Sequence, residues 1–154
     1  MTLDMAFVVL RIKGSVNVPH WARYTLDSLN LYKKFWATIL PETSESLGML
    51  KKIKEFVAWS HVDAGLVKEL IEKRGKTSGS KPVLQETGPY NSIDALASDI
   101  AKDKVRLSSL QVIKPWFALN PPRGGFKRKT KTQYNQKGIL GEDRELADII
   151  RRMI

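Results

Sequence analysis

The 154-residue sequence contains no cysteine and only two histidines, His20 and His61. Without cysteine there can be no disulfide framework and no cysteine-ligated zinc or iron–sulfur site. Two histidines far apart in the sequence do not supply the ligand spacing of a metal centre. A chain of this length buries roughly two thirds of the surface that its unfolded form exposes, so a stable domain needs no such staple.

Long hydrophobic runs are also absent. The run Phe7-Val8-Val9-Leu10 is too short for a signal peptide, and no cationic segment precedes it. No stretch approaches the roughly 18 apolar residues that a membrane span requires. We therefore expect a cytoplasmic protein without a membrane partner.

Motifs of the common enzyme classes are missing as well. There is no phosphate-binding loop of the Walker type, and Gly124-Gly125 lacks the strand–loop–helix context of a dinucleotide site. No serine stands out as the nucleophile of a histidine relay. The sequence predicts neither an enzyme nor a cofactor or small-molecule substrate.

Positive charge is abundant and unevenly distributed. The chain has 26 Lys and Arg against 16 Asp and Glu, a net charge of +10. Residues 111–154 hold 10 basic and 4 acidic residues, so this segment alone carries a net charge of +6. Such asymmetry indicates a polyanionic partner for the C-terminal part, although a basic, solvated surface would give the same count.

The first 60 residues alternate between apolar runs and amphipathic segments. The apolar runs predict three strands, at residues 6–12, Lys33–Leu40 and Phe56–Trp59. Pro19 fits the first turn of a helix that ends near Asn30, and Thr43 or Ser44 can cap a second helix. The order β-α-β-α-β predicts an α+β core domain over residues 1–60.

Residues 61–120 are predicted as a helical extension packed on this core. Asp63 can cap a third helix, and Gly75 stands where a left-handed residue would end it. Ser92 can cap a fourth helix. Residues 105–119 are apolar but interrupted by a proline, so a strand and an extended connector both stay open.

Residues 121–154 differ in character, because six cations and no acidic residue lie between Arg123 and Lys137. In this basic arm, cations would contact phosphates, glycines would let the backbone approach RNA, and aromatic rings would stack on unpaired bases. The alternative is a disordered tail, but apolar residues 112–119 and an amphipathic helix flank the arm. The predicted RNA-binding residues are Arg123, Gly124, Gly125, Phe126, Lys127, Arg128, Lys129, Lys131, Tyr134 and Lys137.

A last short helix is predicted beyond Gly141. Its first residues would be Glu142 and Asp143, and Arg151 and Arg152 would lie near its end, as the helix dipole favours. Its apolar face would consist of Leu146, Ile149, Ile150 and Met153.

Two further basic groups lie in the core domain. Lys51 and Lys52 fall near the end of the second helix, where RNA contact and simple compensation of the helix dipole are equally compatible with the pattern. The loop from Arg11 to Asn17 is a third candidate, with Arg11 and Lys13 as its cations. The four tryptophans are predicted mainly as packing residues: Trp21, Trp36, Trp59 and Trp116.

Several segments, taken in order, resemble a known family. They are Phe7–Gly14, Thr25–Leu31, Ser46–Ile53 and Pro122–Lys127, followed by Gly138, Gly141, Arg144 and Ile150–Met153. Over nearly its whole length the chain resembles the large-subunit ribosomal protein thirty family in its longer archaeal form, whose eukaryotic relatives carry the number seven. It departs from that pattern at Lys137–Gly141, where relatives often have a turn richer in glycine and acidic residues.

The resemblance implies a ferredoxin-like α+β fold with a three-stranded antiparallel sheet and a central first strand. It also implies a structural role in the large ribosomal subunit, with large-subunit rRNA and neighbouring ribosomal proteins as partners and 5S rRNA nearby. No catalytic residue is implied. The alternative is an RNA-binding or RNA-chaperone protein outside the ribosome.

Overall fold

The structure is a computed structural model that describes residues 6–14, 16, 18–75, 93–102, 114–126 and 128–154. Predicted features on other positions, among them Ser92 and Lys127, lie outside the described residues. The strands are β1 (Phe7–Arg11), β2 (Trp36–Leu40), β3 (Val57–His61), β4 (Phe117–Ala118), β5 (Lys129–Gln133) and β6 (Gly138–Glu142). The helices are α1 (His20–Ser28), α2 (Ser44–Lys52), α3 (Ala64–Arg74), α4 (Ile93–Ala101) and α5 (Leu146–Met153).

Strand β1 is buried on both faces, which is why its sequence is apolar without interruption. Because successive side chains of a strand point to opposite faces, Phe7 and Val9 join one hydrophobic cluster, whereas Val8 and Leu10 join another. Helices α1 and α2 contribute to the first cluster, and α3, α4 and α5 to the second. The sheet is therefore sandwiched between two helical layers.

The strand order β4-β2-β1-β3-β6-β5 confirms part of the predicted topology and corrects the rest. The predicted order β-α-β-α-β is confirmed, and β1 lies between β2 and β3, antiparallel to both. The prediction of a three-stranded sheet is wrong, because the described residues form six strands. Strand β4 adds to β2, so the segment for which the sequence leaves a strand and a connector open contains a strand. Strand β6 joins β3 in a parallel pair, so part of the C-terminal basic segment completes the sheet.

Helix α1 ends in a left-handed residue. Asn30 has φ of 62°, and its N–H donates to Asp27, while the N–H of Leu31 donates back to Leu26. This pair of bonds is the Schellman arrangement, and both leucines are buried in the cluster under α1. The predicted helix end near Asn30 is thus confirmed.

The next two helices begin at side-chain caps. The hydroxyl of Thr43 accepts a hydrogen bond from the N–H of Ser46 at 3.1 Å. The carboxylate of Asp63 accepts from the N–H of Leu66 at 2.8 Å. Thr43 rather than Ser44 is therefore the cap of α2, and the predicted cap of α3 is confirmed.

Three local predictions are wrong. Gly75 ends α3 in an extended conformation, with φ of −67°, and its missing side chain leaves room for the carbonyl of Ile71. Strand β2 begins at Trp36 rather than Lys33, because Phe35 adopts a left-handed φ of 66°. Glu142 belongs to β6 and Asp143 to the turn after it, so the last helix begins later than predicted.

The predicted apolar face of the last helix is confirmed. Leu146, Ile149, Ile150 and Met153 of α5 are all buried in the cluster that also contains α3 and α4. The end of this helix also contacts the start of the basic segment, since the N–H of Asn120 donates to the carbonyl of Met153. Helix α5 therefore anchors the residues that lead into β5.

Candidate nucleic-acid interface

Arg11, at the end of β1, is buried under the loop that follows it. Its guanidinium donates to the backbone carbonyls of Lys13, Gly14 and Leu31, at 3.0, 3.3 and 2.6 Å. Only 3% of the residue is exposed. Burial lowers the pKa of this guanidinium, and the charge of Asp27 opposes that shift. Arg11 therefore holds the loop in shape, and its side chain is not positioned to reach a phosphate.

The loop held by Arg11 and strand β5 line a cleft of about 630 Å³. Three lysines line this basic cleft, Lys13, Lys34 and Lys131, and no acidic residue is among the described residues that line it. Its other lining residues are apolar or small: Ile12, Gly14, Val16, Val18, Phe56 and Thr130. A cationic rim over apolar surface suits a polyanion with planar groups, such as a folded RNA strand.

The three lysines come from distant parts of the chain. Lys13 follows β1, Lys34 precedes β2, and Lys131 belongs to β5. The sequence indicates Lys13 and Lys131 separately but not their proximity. The sequence does not indicate Lys34 as an RNA-binding residue. Its only local signal is that Lys33 and Lys34 are adjacent and lie between two aromatic residues.

A series of cation–aromatic contacts connects the cleft to α2. The ammonium of Lys13 lies 5.7 Å from the ring centroid of Phe56, which contacts the ring of Trp21 edge-on at 6.4 Å. The ammonium of Lys52 lies 6.0 Å from the ring of Trp21, which is 45% exposed. Lys51 is also exposed in the last turn of α2. Lys52 on α2 is therefore connected to the basic cleft through Trp21 and Phe56.

The cations in and just before strand β5 have two different roles. Lys129 and Lys131 are exposed. The guanidinium of Arg128, just before the strand, instead donates to the carbonyls of Gly138 and Tyr134 at 2.9 and 2.8 Å. It also lies 3.6 Å from the carboxylate of Glu145. Arg128 thus secures the turn between β5 and β6, and the two lysines are the cations available to a ligand.

The Gly124-Gly125 turn is fixed by the last helix. Both glycines have φ near +75°, a conformation that side chains disfavour. The guanidinium of Arg152 donates to the carbonyls of Arg123 and Gly125 at 3.0 and 2.6 Å. The turn is therefore held in shape, with the side chain of Arg123 exposed beside it.

The two aromatic residues predicted to stack on RNA have partners within the protein. The ring of Phe126 packs against Phe35 with centroids 5.7 Å apart, and the guanidinium of Arg128 lies 4.4 Å from the ring of Tyr134. Exposed rings are found elsewhere: Trp21, Tyr24 and Tyr32 are 45%, 70% and 46% exposed. Sequence patterns could not identify these rings, because aromatic residues in helices and turns are usually packing residues.

Two predicted contacts of the arm remain, Lys127 and Lys137. Lys137 is exposed and left-handed, with φ of 66°, and follows a short 3-10 helix at Tyr134–Gln136. Its carbonyl accepts a hydrogen bond from the N–H of Lys129 at 3.3 Å, which places Lys137 beside the start of β5. Lys127 lies outside the described residues.

The described residues contain no metal-binding cluster of His, Asp or Glu. His61 pairs with Glu42 at 3.0 Å on the surface, and His20 is exposed at the start of α1. Within the described part of the chain, no helix has the length and apolar character needed to cross a membrane.

Comparison with known proteins gives consistent matches to one family. The model of the ribosomal protein L30p/L7e family matches residues 7–57. The chain is 49% identical to large ribosomal subunit protein uL30 of Cenarchaeum symbiosum, over 97% of this chain and 98% of that protein. It is 50% identical to the uL30 protein of Nitrosopumilus maritimus, with the same coverage, and 40% identical to that of Staphylothermus marinus, over 96% and 98%. The chain therefore belongs to the L30p/L7e family of ribosomal proteins, the family that its sequence segments resemble.

Proposed function

We propose that the chain is a structural constituent of the large ribosomal subunit and that it binds folded large-subunit rRNA through the basic cleft and the exposed cations around it. Family membership supports this role, because the relatives are named as large-subunit proteins. Members of the family are structural proteins, so the chain is not an enzyme. Its place is in the cytoplasm, within the ribosome.

The observation that carries the RNA-binding proposal is the convergence of Lys13, Lys34 and Lys131 on one cleft. Clustered lysines repel one another, so their proximity does not stabilise the free protein. A bound phosphate backbone would neutralise them and release counterions. Their apolar surroundings also lower the local dielectric, which strengthens each contact with phosphate.

The predicted site residues divide into two groups in this proposal. Arg11, Arg128, Phe126 and the two glycines of the turn shape the surface, because their side chains or backbones are held by internal contacts. Tyr134 belongs to the same group through its contact with Arg128. The residues proposed to contact phosphates are Lys13, Lys34, Lys51, Lys52, Arg123, Lys127, Lys129, Lys131 and Lys137.

The wider setting follows the family resemblance. We infer that the protein lies near 5S rRNA and beside other ribosomal proteins, and that its core retains a ferredoxin-like character. We propose that the chain is organised as a core domain over residues 1–60, a helical extension over 61–120 and a basic segment over 121–154. The third segment contributes strands β5 and β6 to the sheet of the first.

The test is binding of the full-length protein to a large-subunit rRNA fragment at increasing salt. If about five cations contact phosphates, raising salt from roughly 50 to 200 mM should weaken binding a few hundred-fold. The double variant Lys13→Ala/Lys131→Ala should reduce the slope of log K against log salt by about 2. Its matched control is Lys73→Ala/Lys102→Ala, which removes the same charge from exposed positions on α3 and after α4.

Two results would contradict the proposal. One is an affinity that does not change with salt. The other is an equal loss of slope in the control variant, which would mean that only net charge matters. Sedimentation of cell extracts gives an independent check, since a protein of the large subunit stays with that subunit through a high-salt wash, whereas a free RNA chaperone does not.

A further inference from the structure

Two tryptophans from distant parts of the chain stack with parallel rings at the edge of the sheet. The rings of Trp36 and Trp116 have centroids 5.3 Å apart and planes inclined by only 1°. Tyr32 contacts both rings edge-on, at 6.0 and 6.5 Å. We call Tyr32, Trp36 and Trp116 the aromatic corner. It lies outside the set of residues that line the basic cleft.

The hydrophobic core does not account for this arrangement. Trp116 belongs to neither of the two core clusters and is only half-buried, and Trp36 lies at the margin of one of them. Tyr32 is 46% exposed. A packing residue gains stability by leaving water, so a stacked pair held at the surface gains less than the same rings would inside the protein.

The backbone nevertheless fixes the corner. Trp36 pairs with Ala118 in the β2–β4 ladder, which brings the segment before β4 alongside β2. The hydroxyl of Thr38 donates to the carbonyl of Pro115 at 2.8 Å, directly before Trp116. The rings are thus presented by β-structure in a fixed orientation, so that little ordering is needed when a ligand binds.

Two lysines lie close to the rings of the corner. The ammonium of Lys33 lies 6.0 Å from the ring centroid of Trp36, and that of Lys114 lies 5.3 Å from Trp116. Lys34 is adjacent in sequence and lines the basic cleft. Rigid aromatic faces flanked by ammonium groups match a ligand that combines flat rings with anionic links between them.

We propose that the aromatic corner binds an unpaired nucleobase of single-stranded RNA, with the ring stacked against the corner and the flanking phosphates next to Lys33 and Lys114. This inference rests on the proposed function and adds a second site to it. The basic cleft would contact the backbone of folded RNA, whereas the corner requires a base whose face is exposed, as in a loop or bulge.

The test uses the full-length protein and two RNA probes. One probe is a single-stranded oligoribonucleotide of about ten residues, a length typical of one binding site, with 2-aminopurine at its centre. The other is a blunt duplex of the same length. Stacking quenches 2-aminopurine fluorescence, so wild-type protein should quench the single-stranded probe as it binds.

The variants Trp116→Leu and Tyr32→Leu should each weaken binding of the single-stranded probe on the order of tenfold, the usual effect of losing one stacking contact. Binding of the duplex should change by less than about twofold, because a duplex presents no free base face. The matched control is Tyr24→Leu, which removes an aromatic ring that is 70% exposed on α1, and it should bind both probes as wild type does.

The outcomes separate this inference from the proposed function. If wild type binds no RNA at low salt, the proposed function fails and this inference with it. If wild type binds but both corner variants retain single-strand affinity and quenching, the corner is not a base site. Variants that bind the probe normally but fail to enter large subunits would show that the corner contacts a protein, which also overturns the inference. If circular dichroism shows that Trp116→Leu is misfolded, the result for Tyr32→Leu decides whether the corner binds a base, because Tyr32 is exposed.

Discussion

Arg11 lies beside the proposed RNA surface, but its guanidinium bonds to the backbone of the protein itself. A buried guanidinium with three carbonyl acceptors satisfies backbone groups that the turns around it leave unpaired. One of those acceptors, Leu31, is 20 positions away in the sequence. Arg11 thus connects the loop after β1 to the end of α1. Its hydrogen bonds also hold Lys13 and Gly14 at the cleft.

Replacing Arg11 with methionine should lower the free energy of unfolding by about 2–4 kcal/mol, because buried carbonyls would lose a charged donor. Urea denaturation followed by circular dichroism measures this change. Arg23→Met is the matched control on the exposed face of α1, and it should cost less than about 0.5 kcal/mol. Equal costs for the two variants would mean that Arg11 has no special structural role.

Asp143 should make stability depend on pH. Burial raises the pKa of its carboxyl, although the N–H of Glu145 and the charge of Arg128 oppose the rise, and one of its oxygens has no hydrogen-bond partner among the described residues. The folded state therefore holds this proton more tightly than the unfolded chain. The stabilising contribution is complete below the unfolded pKa of about 3.9 and is lost as pH rises through the folded pKa.

The variant Asp143→Asn cannot ionise and should gain stability relative to wild type as pH rises from about 4 to 7. Its amide oxygen can still accept the bond from the N–H of Glu145, which lies 2.9 Å from the carboxylate in the native protein. Urea denaturation at several pH values measures the difference. A difference that stays constant, or that favours wild type as pH rises, would show that the carboxyl is not destabilised by burial.

At the scale of the elements, the pairing of β5 with β6 depends on one glycine. A side chain at Gly138 would collide with the backbone carbonyl of Thr132. Gly48, on the exposed face of α2, has no neighbouring atom within 4 Å of the position that a Cβ would take. We expect Gly138→Ala to cost more than about 2 kcal/mol, because backbone must move. We expect Gly48→Ala to stabilise the protein by roughly 0.5–1 kcal/mol. Thermal unfolding of the two variants tests these opposite signs, and two shifts of the same sign would contradict the prediction.

Local pattern predicted the elements whose sequences carry their own signal. The three core strands are apolar, and the helix caps Thr43 and Asp63 are residue types that favour that position. Strand β5 carries no such signal, because Lys129–Gln133 is polar throughout and is a strand only through its pairing with β6.

The candidate site was predictable only in part, for the same physical reason. An exposed cation and a cation paired within the protein look alike in sequence, so Lys131 and Arg128 are both predicted to bind RNA. Which of them points outward depends on the carbonyls of Gly138 and Tyr134, contacts that form only once the strands are in place. The same holds for the stacking of Trp36 on Trp116, which lie 80 positions apart.

For the molecule as a whole, one sheet contains strands from the first 60 residues and from the basic C-terminal segment. Strand β6 pairs with β3, and the N–H of Asp143 donates to the carbonyl of Trp59 at 2.9 Å. The hydrophobic cluster that includes α5 also includes α3, α4 and β1. The stability of each segment therefore depends on the others.

We expect the full chain to unfold in a single cooperative transition. Far-UV circular dichroism and tryptophan fluorescence should give the same urea midpoint, because the tryptophans and the helices report on one structural unit. Two separated midpoints, with the C-terminal segment melting first, would show that the basic segment is an independent addition to the core.

The position of β5 at the outer edge of the sheet has a consequence for the newly made protein. An edge strand exposes unpaired backbone groups on which a strand of another molecule can build, and charged side chains discourage such pairing. Lys129 and Lys131, which are both exposed, supply this charge before the proposed RNA contact forms. The same two lysines would thus protect the chain from aggregation between synthesis and assembly, a period in which the binding surface has no ligand.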